Sequence, residues 1–388
     1  MAEYGHRVLF LSGPVEPPWT RSDKNLVRAV AANLQRYRAR VLTHEGAQPG
    51  DAHVETENAW GPRVRGDTPM GRRIGLFSRL IDTRETAIVH LFWPADILVA
   101  NLVRAACKMR NIPVLHTLVR APRTTVGIGH ALAGSPVVCL TQETQARLQA
   151  EGIHNTLWVP AGIDVKPPIA AADKAAIRRK YRIPLTDDVV TYAGDFRHSN
   201  AARTFAAAIP RILRNADAHF VFACRIRGDE DRREEARIKQ AVTADGIAEH
   251  VTFLNEITSL REIFAISAIQ VFPADSLHEK MDLPLVLLEG MAECVPTVVA
   301  NRAPLSELVQ AGVALGVPAM DPVGLSAATV ELLRSPDRRE ALGLAGRKLV
   351  EERYDIAKVA ARYEQIYDDM LVQPRSGRVG LSGLWGVG

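Results

Sequence analysis

The feature that most constrains this chain is an alternation, kept from end to end, of short apolar runs with longer amphipathic stretches. In the first half, residues 8–12, 87–92, 113–118 and 137–141 are apolar runs of strand length. Residues 22–37, 95–110 and 143–151 between them carry helical periodicity. Strands that are apolar on both faces need cover on both faces, which predicts a parallel sheet with helices on each side. The series pauses at WVPAGID (158–164) and the Pro-rich KPPI (166–169), which read as an interdomain connection.

A second series follows a basic helix near 173–182. Its strands are predicted at 188–193, 219–224, 250–254, 269–272 and 297–300, and its helices at 199–214, 231–244, 259–266, 285–293, 322–333 and 336–352. A chain of 388 residues is too long for one ordinary α/β core. The reading is therefore two doubly wound α/β domains, 1–165 and 166–353, then a C-terminal helix in 354–372 and a Gly/Ser-bearing tail, 373–388, predicted to be flexible. In such folds ligands sit beyond the carboxyl ends of the strands, so the loops after strands should carry the chemistry.

Composition narrows the classes. No apolar run reaches the length a membrane span requires, and HRVLFLS near the start reads directly as a strand. The four cysteines, Cys107, Cys139, Cys224 and Cys294, are scattered with no CxxC pair, which fits buried thiols in a reducing cytoplasm better than a disulfide frame or zinc site. The net charge of +4 is uneven. Residues 1–125 hold an excess of positive charge, concentrated in Arg63, Arg65, Arg72, Arg73, Arg79, Arg104, Lys108, Arg110, Arg120 and Arg123. Two readings stand side by side: an anionic partner, such as a phosphorylated acceptor or membrane headgroups, or a solvated arginine-rich surface. No aromatic-interleaved basic stripe is present, so nucleic acid is not an expected partner.

The stretch 285–293 is apolar on nearly every side and so predicts a buried helix, yet Glu289 interrupts it. A carboxylate in such a helix needs donors. The two vicinal hydroxyls of a ribose would suit it, as would backbone N–H groups or an arginine.

The segment LPLVLLEGMAECVPTVVANRAPLSELV (283–309) resembles the donor-site signature of glycosyltransferase family 4, a group with the GT-B fold. WVPAGID, VVTYAGDF, HVTFLNEITSLREIFAISAIQVFPAD and VVCLTQETQARLQAEGI resemble other parts of that family in the expected order. The likeness is close over roughly 136–370 and loose over 6–125. It implies two Rossmann-like domains facing a central cleft, a nucleotide-sugar donor in the second and a sugar-containing or phosphorylated acceptor in the first. Hexosyl transfer with retention follows, with no metal and no cofactor beyond the donor itself. The scattered cysteines imply a cytoplasmic compartment, and the basic first half leaves peripheral membrane contact as an open addition.

By the same resemblance Glu289 matches the second of two glutamates, the one that holds the ribose. The first falls at Met281, flanked by Glu279 and Asp282, with Leu283 and Leu285 beside the donor and Pro284 where the family's loop often has Gly. Cys294 stands where a helix-ending Gly is usual. In the loop after Gly194 the family's diphosphate-binding Arg and Lys are replaced by Asp195 and Asn200. Arg197, His198, Arg203 and Arg225 are the candidates to supply positive charge, helped by N–H groups of a helix starting near Ser199. In the first domain Glu16 and Trp19 follow the first strand, and His116 ends another with Arg120 and Arg123 after it. Trp19 either stacks on a sugar or staples its loop, and His116 is either catalytic or a satisfied core histidine. The acidic Asp229–Asp231 run reads as a helix N-terminus. The rivals to transfer are a catalytically silent GT-B paralogue, suggested by Met281, Asp195 and Asn200, and another GT-B enzyme such as an epimerase.

Overall fold

Strand order reverses once in each of two all-parallel sheets, and those two reversals place everything that follows. The computed structural model describes residues 6–17, 19, 21–47, 54–62, 85–277 and 280–372. The described residues of Met1–Asp164 and Ile356–Gly388 form one unit, and Val165–Asp355 forms the other.

The first unit holds β1 (Arg7–Leu11), β2 (Arg38–Leu42), β3 (Glu55–Glu57), β4 (Thr86–Trp93), β5 (Val114–Leu118), β6 (Val137–Cys139) and β7 (Thr156–Trp158). They are ordered β3-β2-β1-β4-β5-β6-β7. The second holds β8 (Val189–Gly194), β9 (His219–Cys224), β10 (Val251–Leu254), β11 (Ile269–Phe272), β12 (Thr297–Ala300) and β13 (Ala314–Val317). Their order is β10-β9-β8-β11-β12-β13. The chain therefore changes winding direction between β1 and β4, and again between β8 and β11. Loops diverge at such points and leave a crevice at the carboxyl ends. The central strands are buried almost throughout, as continuous apolar runs require.

The apolar strands lie within a residue or two of their predicted bounds. Strands β2, β3, β7 and β13 were not anticipated, and β2 and β3 show why. In β2, RARVL, two arginines interrupt the apolar run, and β3, ETE, has no apolar residue because it is the sheet's edge. An ion-pair ladder supports it: Glu55 lies 3.3 Å from Arg7, 3.6 Å from Arg38 and 3.6 Å from Arg40.

The C-terminal helix Ile356–Val372 packs with the first unit, through polar groups as well as apolar ones. The buried Glu364 carboxylate accepts the N–H groups of Gln35 and Arg36, both at 2.7 Å. The fully buried His90 of β4 is held between the Tyr367 hydroxyl (2.6 Å) and Thr117 Oγ1 (2.7 Å). Thr117 in turn meets the Tyr363 hydroxyl at 3.2 Å. Burial drives the His90 pKa well below its usual value, so the ring is neutral, with one nitrogen donating and the other accepting. Arg63, Arg65, Arg72, Arg73 and Arg79, and the tail 373–388, lie outside the described residues. Among those described, Arg104 bonds Asn101 and the His130 carbonyl. None of the described helices is long and apolar enough to cross a membrane.

Replacing Tyr367 by Phe leaves one nitrogen of a buried imidazole without its partner. The expected loss is about 1–3 kcal/mol of stability, seen in urea unfolding as a lower midpoint with an unchanged slope.

Candidate functional site

The helix Leu285–Ala292 carries Glu289, and Gln270 fixes the helix on the second sheet. From β11 the Gln270 amide donates to the Leu287 carbonyl at 3.0 Å and to Thr297 Oγ1 on β12 at 2.7 Å. Room for that amide comes from Gly290, where an added Cβ would stand 2.3 Å from Gln270 Oε1. At the helix end, Val295 N–H bonds the Gly290 carbonyl and Cys294 N–H the Met291 carbonyl, both at 3.0 Å. This is a Schellman closure, and it puts Cys294 at φ 60°. Glu293 then ties the end down, accepting Ile169 N–H at 2.9 Å and the Arg261 guanidinium.

Held this way, Glu289 is half-buried in an apolar helix. It makes no hydrogen bond to any of the described residues. Burial pushes its carboxyl above the usual carboxylate range, and the charge of Arg225, just past β9, opposes that shift. The carboxylate is therefore an acceptor of two bonds that the described residues leave unmade. Met281, Leu283 and Leu285 are all buried side chains, and Asp282 is buried as well. Whatever ligand contact Met281, Leu283 and Leu285 make has to come from their backbone, and Pro284 has no N–H to offer.

The crevice between β8 and β11 is bridged by two charged contacts. Asp195, just past β8, lies 3.3 Å from Arg227 and 3.3 Å from the Lys280 ammonium. Asp275, beyond β11, accepts Asn200 N–H at 2.7 Å and the Asn200 side-chain amide at 2.9 Å. The helix here, Ala201–Leu213, thus begins with Asn200 N–H already occupied, and Ser199 Oγ lies 3.4 Å from Ala201 N. That narrows the expected N–H cradle to the donors after Ala201. Arg197 bonds Glu230 at 2.6 Å and sits 3.7 Å from Asp231. Arg203 is gripped by the buried Glu234, which it also meets through a 2.6 Å bond. Both arginines are thus neutralised by the helix Asp229–Ala244. His198 is half-buried and is held below its usual pKa, chiefly by burial, with Asp195 acting in the opposite direction. Gly194 has a structural cause, since a Cβ there would meet the Tyr192 hydroxyl at 2.5 Å.

In the first unit the candidates are partnered locally. Glu16 is buried, accepts His44 N–H at 3.1 Å and meets His44 Nδ1 at 3.0 Å. The Arg28 guanidinium stands 4.4 Å above the Trp19 ring, and the Trp19 carbonyl is bonded by Asn25. Trp19 therefore staples its loop to the helix Ser22–Asn33. Arg120 lies within electrostatic reach of Asp23, which Arg21 also holds. His116 donates from Nε2 to the Trp93 carbonyl (3.1 Å) and accepts Ala133 N–H at Nδ1 (3.2 Å). Both nitrogens are used, and the ring is buried. The catalytic alternative for His116 gives way to the core one.

Residues 187–335 match the family model described as Glycosyl transferases group 1. That match lies within the second unit, and the chain as a whole has the GT-B fold. It is 25% identical to N-acetyl-alpha-D-glucosaminyl L-malate synthase of Bacillus anthracis, over 53% of this chain and 52% of that one. It is 29% identical to a GDP-mannose-dependent monoacylated alpha-(1-6)-phosphatidylinositol monomannoside mannosyltransferase of Corynebacterium glutamicum, over 56% and 58%. The chain spans about half the length of these curated relatives. Its fold is that of Anabaena HepE in complex with UDP and glucose, with a TM-score of 0.76 at 14% identity, over 94% of this chain and all of that one.

Within this fold, the structure gathers Gly194, His198, Arg225, Asp282 and Glu289 at or near the carboxyl ends of the second sheet. The cations that face the crevice between β8 and β11, Lys280 and Arg227, were missed by sequence reasoning. Reading the family pattern position by position looks for cations at 195 and 200, whereas these reach Asp195 from two other loops. The one signal was the aspartate itself, because a carboxylate placed where positive charge is expected calls for cations around it.

The neutral core histidines make stability depend on pH. Burial depresses His116 and His219 to about 4, while an unfolded histidine titrates near 6.5. Between those values the unfolded chain binds more protons, so stability is full above about 6.5 and falls as pH drops toward about 4. The expected slope is roughly 1.4 kcal/mol per pH unit for each group. Urea midpoints measured across that window should show it, and His116→Gln should flatten it.

Proposed function

We propose that this chain transfers a hexosyl group from a nucleotide sugar to an acceptor. In this reading Glu289 binds the ribose of the nucleotide. The observation that carries it is that carboxylate, half-buried, held on a clamped helix and without a hydrogen bond among the described residues. Two ribose hydroxyls supply two donors at the spacing of two carboxylate oxygens. The family match covers the same unit, and UDP is bound by HepE, whose fold this chain shares. A departing nucleoside diphosphate needs positive charge at its leaving oxygen, and the crevice beside β8 contains it. Retention of anomeric configuration and independence from metal rest on the resemblance to family 4. The acceptor class, sugar-containing or phosphorylated, rests on that resemblance and on the basic first unit.

The buried thioether of Met281 favours a second reading, a paralogue that binds nucleotide without turnover. It places no charged group where the family resemblance expects a glutamate for the sugar hydroxyls. Calorimetric titration with UDP, GDP and their hexose conjugates, followed by product analysis across acceptors, separates the two. Binding with turnover supports transfer, binding alone supports the silent paralogue, and no binding defeats both.

Glu289→Gln should weaken nucleotide binding about ten- to a hundredfold, the value of hydrogen bonds to a charged group. In the native protein affinity should also fall as pH drops through the raised carboxyl pKa of Glu289, since the protonated acid accepts less well. The glutamine variant should lose that dependence. An unchanged affinity with a less stable fold would make Glu289 structural.

A further inference from the structure

We infer that Lys280 and Arg227 seat the diphosphate of the nucleotide, and that Asp195 holds this seat as an internal anion while the nucleotide is away. The inference rests on the nucleotide reading above and assigns its phosphate contacts to residues outside the family pattern. The seat lies at the switch point between β8 and β11, where ligands enter doubly wound sheets. Asp195 Oδ1 and Oδ2 each face one cation at 3.3 Å, so the carboxylate spans the two as a phosphate would.

Charge decides between the available cations. The Lys280 side chain is only 12% exposed, and a buried ammonium requires an anion. Lys280 and Arg227 share the single carboxylate of Asp195, leaving the trio with one net positive charge. Arg197 and Arg203 are already compensated by the acidic helix Asp229–Ala244. Arg225 is the counter-charge of Glu289. Asp275 already takes the Asn200 N–H at the start of the next helix. Among the described residues, the trio is thus a positive centre at the crevice in which two cations share one carboxylate. His198 feels it: Lys280 and Arg227 both push its pKa down while Asp195 pulls it up. When a diphosphate arrives, its oxygens take the place of the Asp195 carboxylate against the two cations, and no covalent bond changes.

The test compares binding of UDP with uridine, GDP with guanosine, and pyrophosphate alone, to the full chain. Lys280→Met and Arg227→Met should each lower affinity for the diphosphates and pyrophosphate about tenfold or more, and leave the nucleosides within about twofold. Asp195→Asn should raise affinity for the diphosphates and pyrophosphate, since the trio then carries two net positive charges, and should steepen the salt dependence. Thermal unfolding of each variant checks that the fold survives. Equal losses for nucleoside and diphosphate, no loss in either cation variant, or weaker diphosphate binding in Asp195→Asn would overturn the inference. Failure of the nucleotide reading looks different. Nucleosides then fail to bind and Glu289→Gln changes nothing, while pyrophosphate still reports on the seat.

Discussion

The second unit is organised around one buried amide. Gln270 belongs to β11, yet its side chain reaches both the backbone of the helix Leu285–Ala292 and the hydroxyl of Thr297 on β12. A buried amide is costly unless its groups are matched, so the helix has one seating that satisfies it. Gly290 is the other half of that constraint, because any side chain there would occupy the space of the amide. Glu289 is the neighbour of that glycine, and its position is set by the same contact. The helix stop depends on it too: Gly290 and Met291 supply the carbonyls that close the turn at Cys294. The carbonyl of Cys294 is in turn approached so closely by the helix Pro336–Leu349 that Gly343 has no room for a Cβ.

Around this rigid frame, carboxylates decide which cations are free to act. Glu230 and Asp231 hold Arg197, Glu234 holds Arg203, and Asp275 takes the Asn200 N–H at the start of the next helix. These pairs sit partly in solvent, so each contributes little to stability. Their effect is on placement: the pairs draw Arg197 and Arg203 toward the helix Asp229–Ala244. Asp195 differs, because it faces two cations and satisfies the charge of one.

Most of the fold was legible because parallel sheets write themselves as continuous apolar runs, and His219–Cys224, Ile269–Phe272 and Thr297–Ala300 have the predicted bounds. The edge strand Glu55–Glu57 and its neighbour Arg38–Leu42 were not, since they are joined by ion pairs that resemble a solvated surface in one dimension. Cys294 was legible as a departure from glycine, and its φ of 60° follows from the turn that position must make. The arginines were legible as residues but not as roles. A guanidinium in a loop after a strand reads the same whether it faces a ligand or a glutamate from the next helix. The resolution of that ambiguity lies in contacts thirty or more residues apart, which periodicity does not encode.

A nucleotide sugar, the proposed donor, would make unequal demands on the second unit at its nucleotide and at its sugar. The ribose needs paired acceptors and the diphosphate needs cations, and charged groups for both stand near the carboxyl ends of the second sheet. The sugar hydroxyls need acceptors and donors close to the anomeric carbon, and position 281 offers a buried thioether. Backbone groups of 281–284 are left to fill that need, less one N–H at Pro284. Backbone contacts select shape more than they select a particular hydroxyl. On the proposed donor reading, side-chain recognition is strongest at the nucleotide, and selectivity among hexoses falls to the backbone of 281–284.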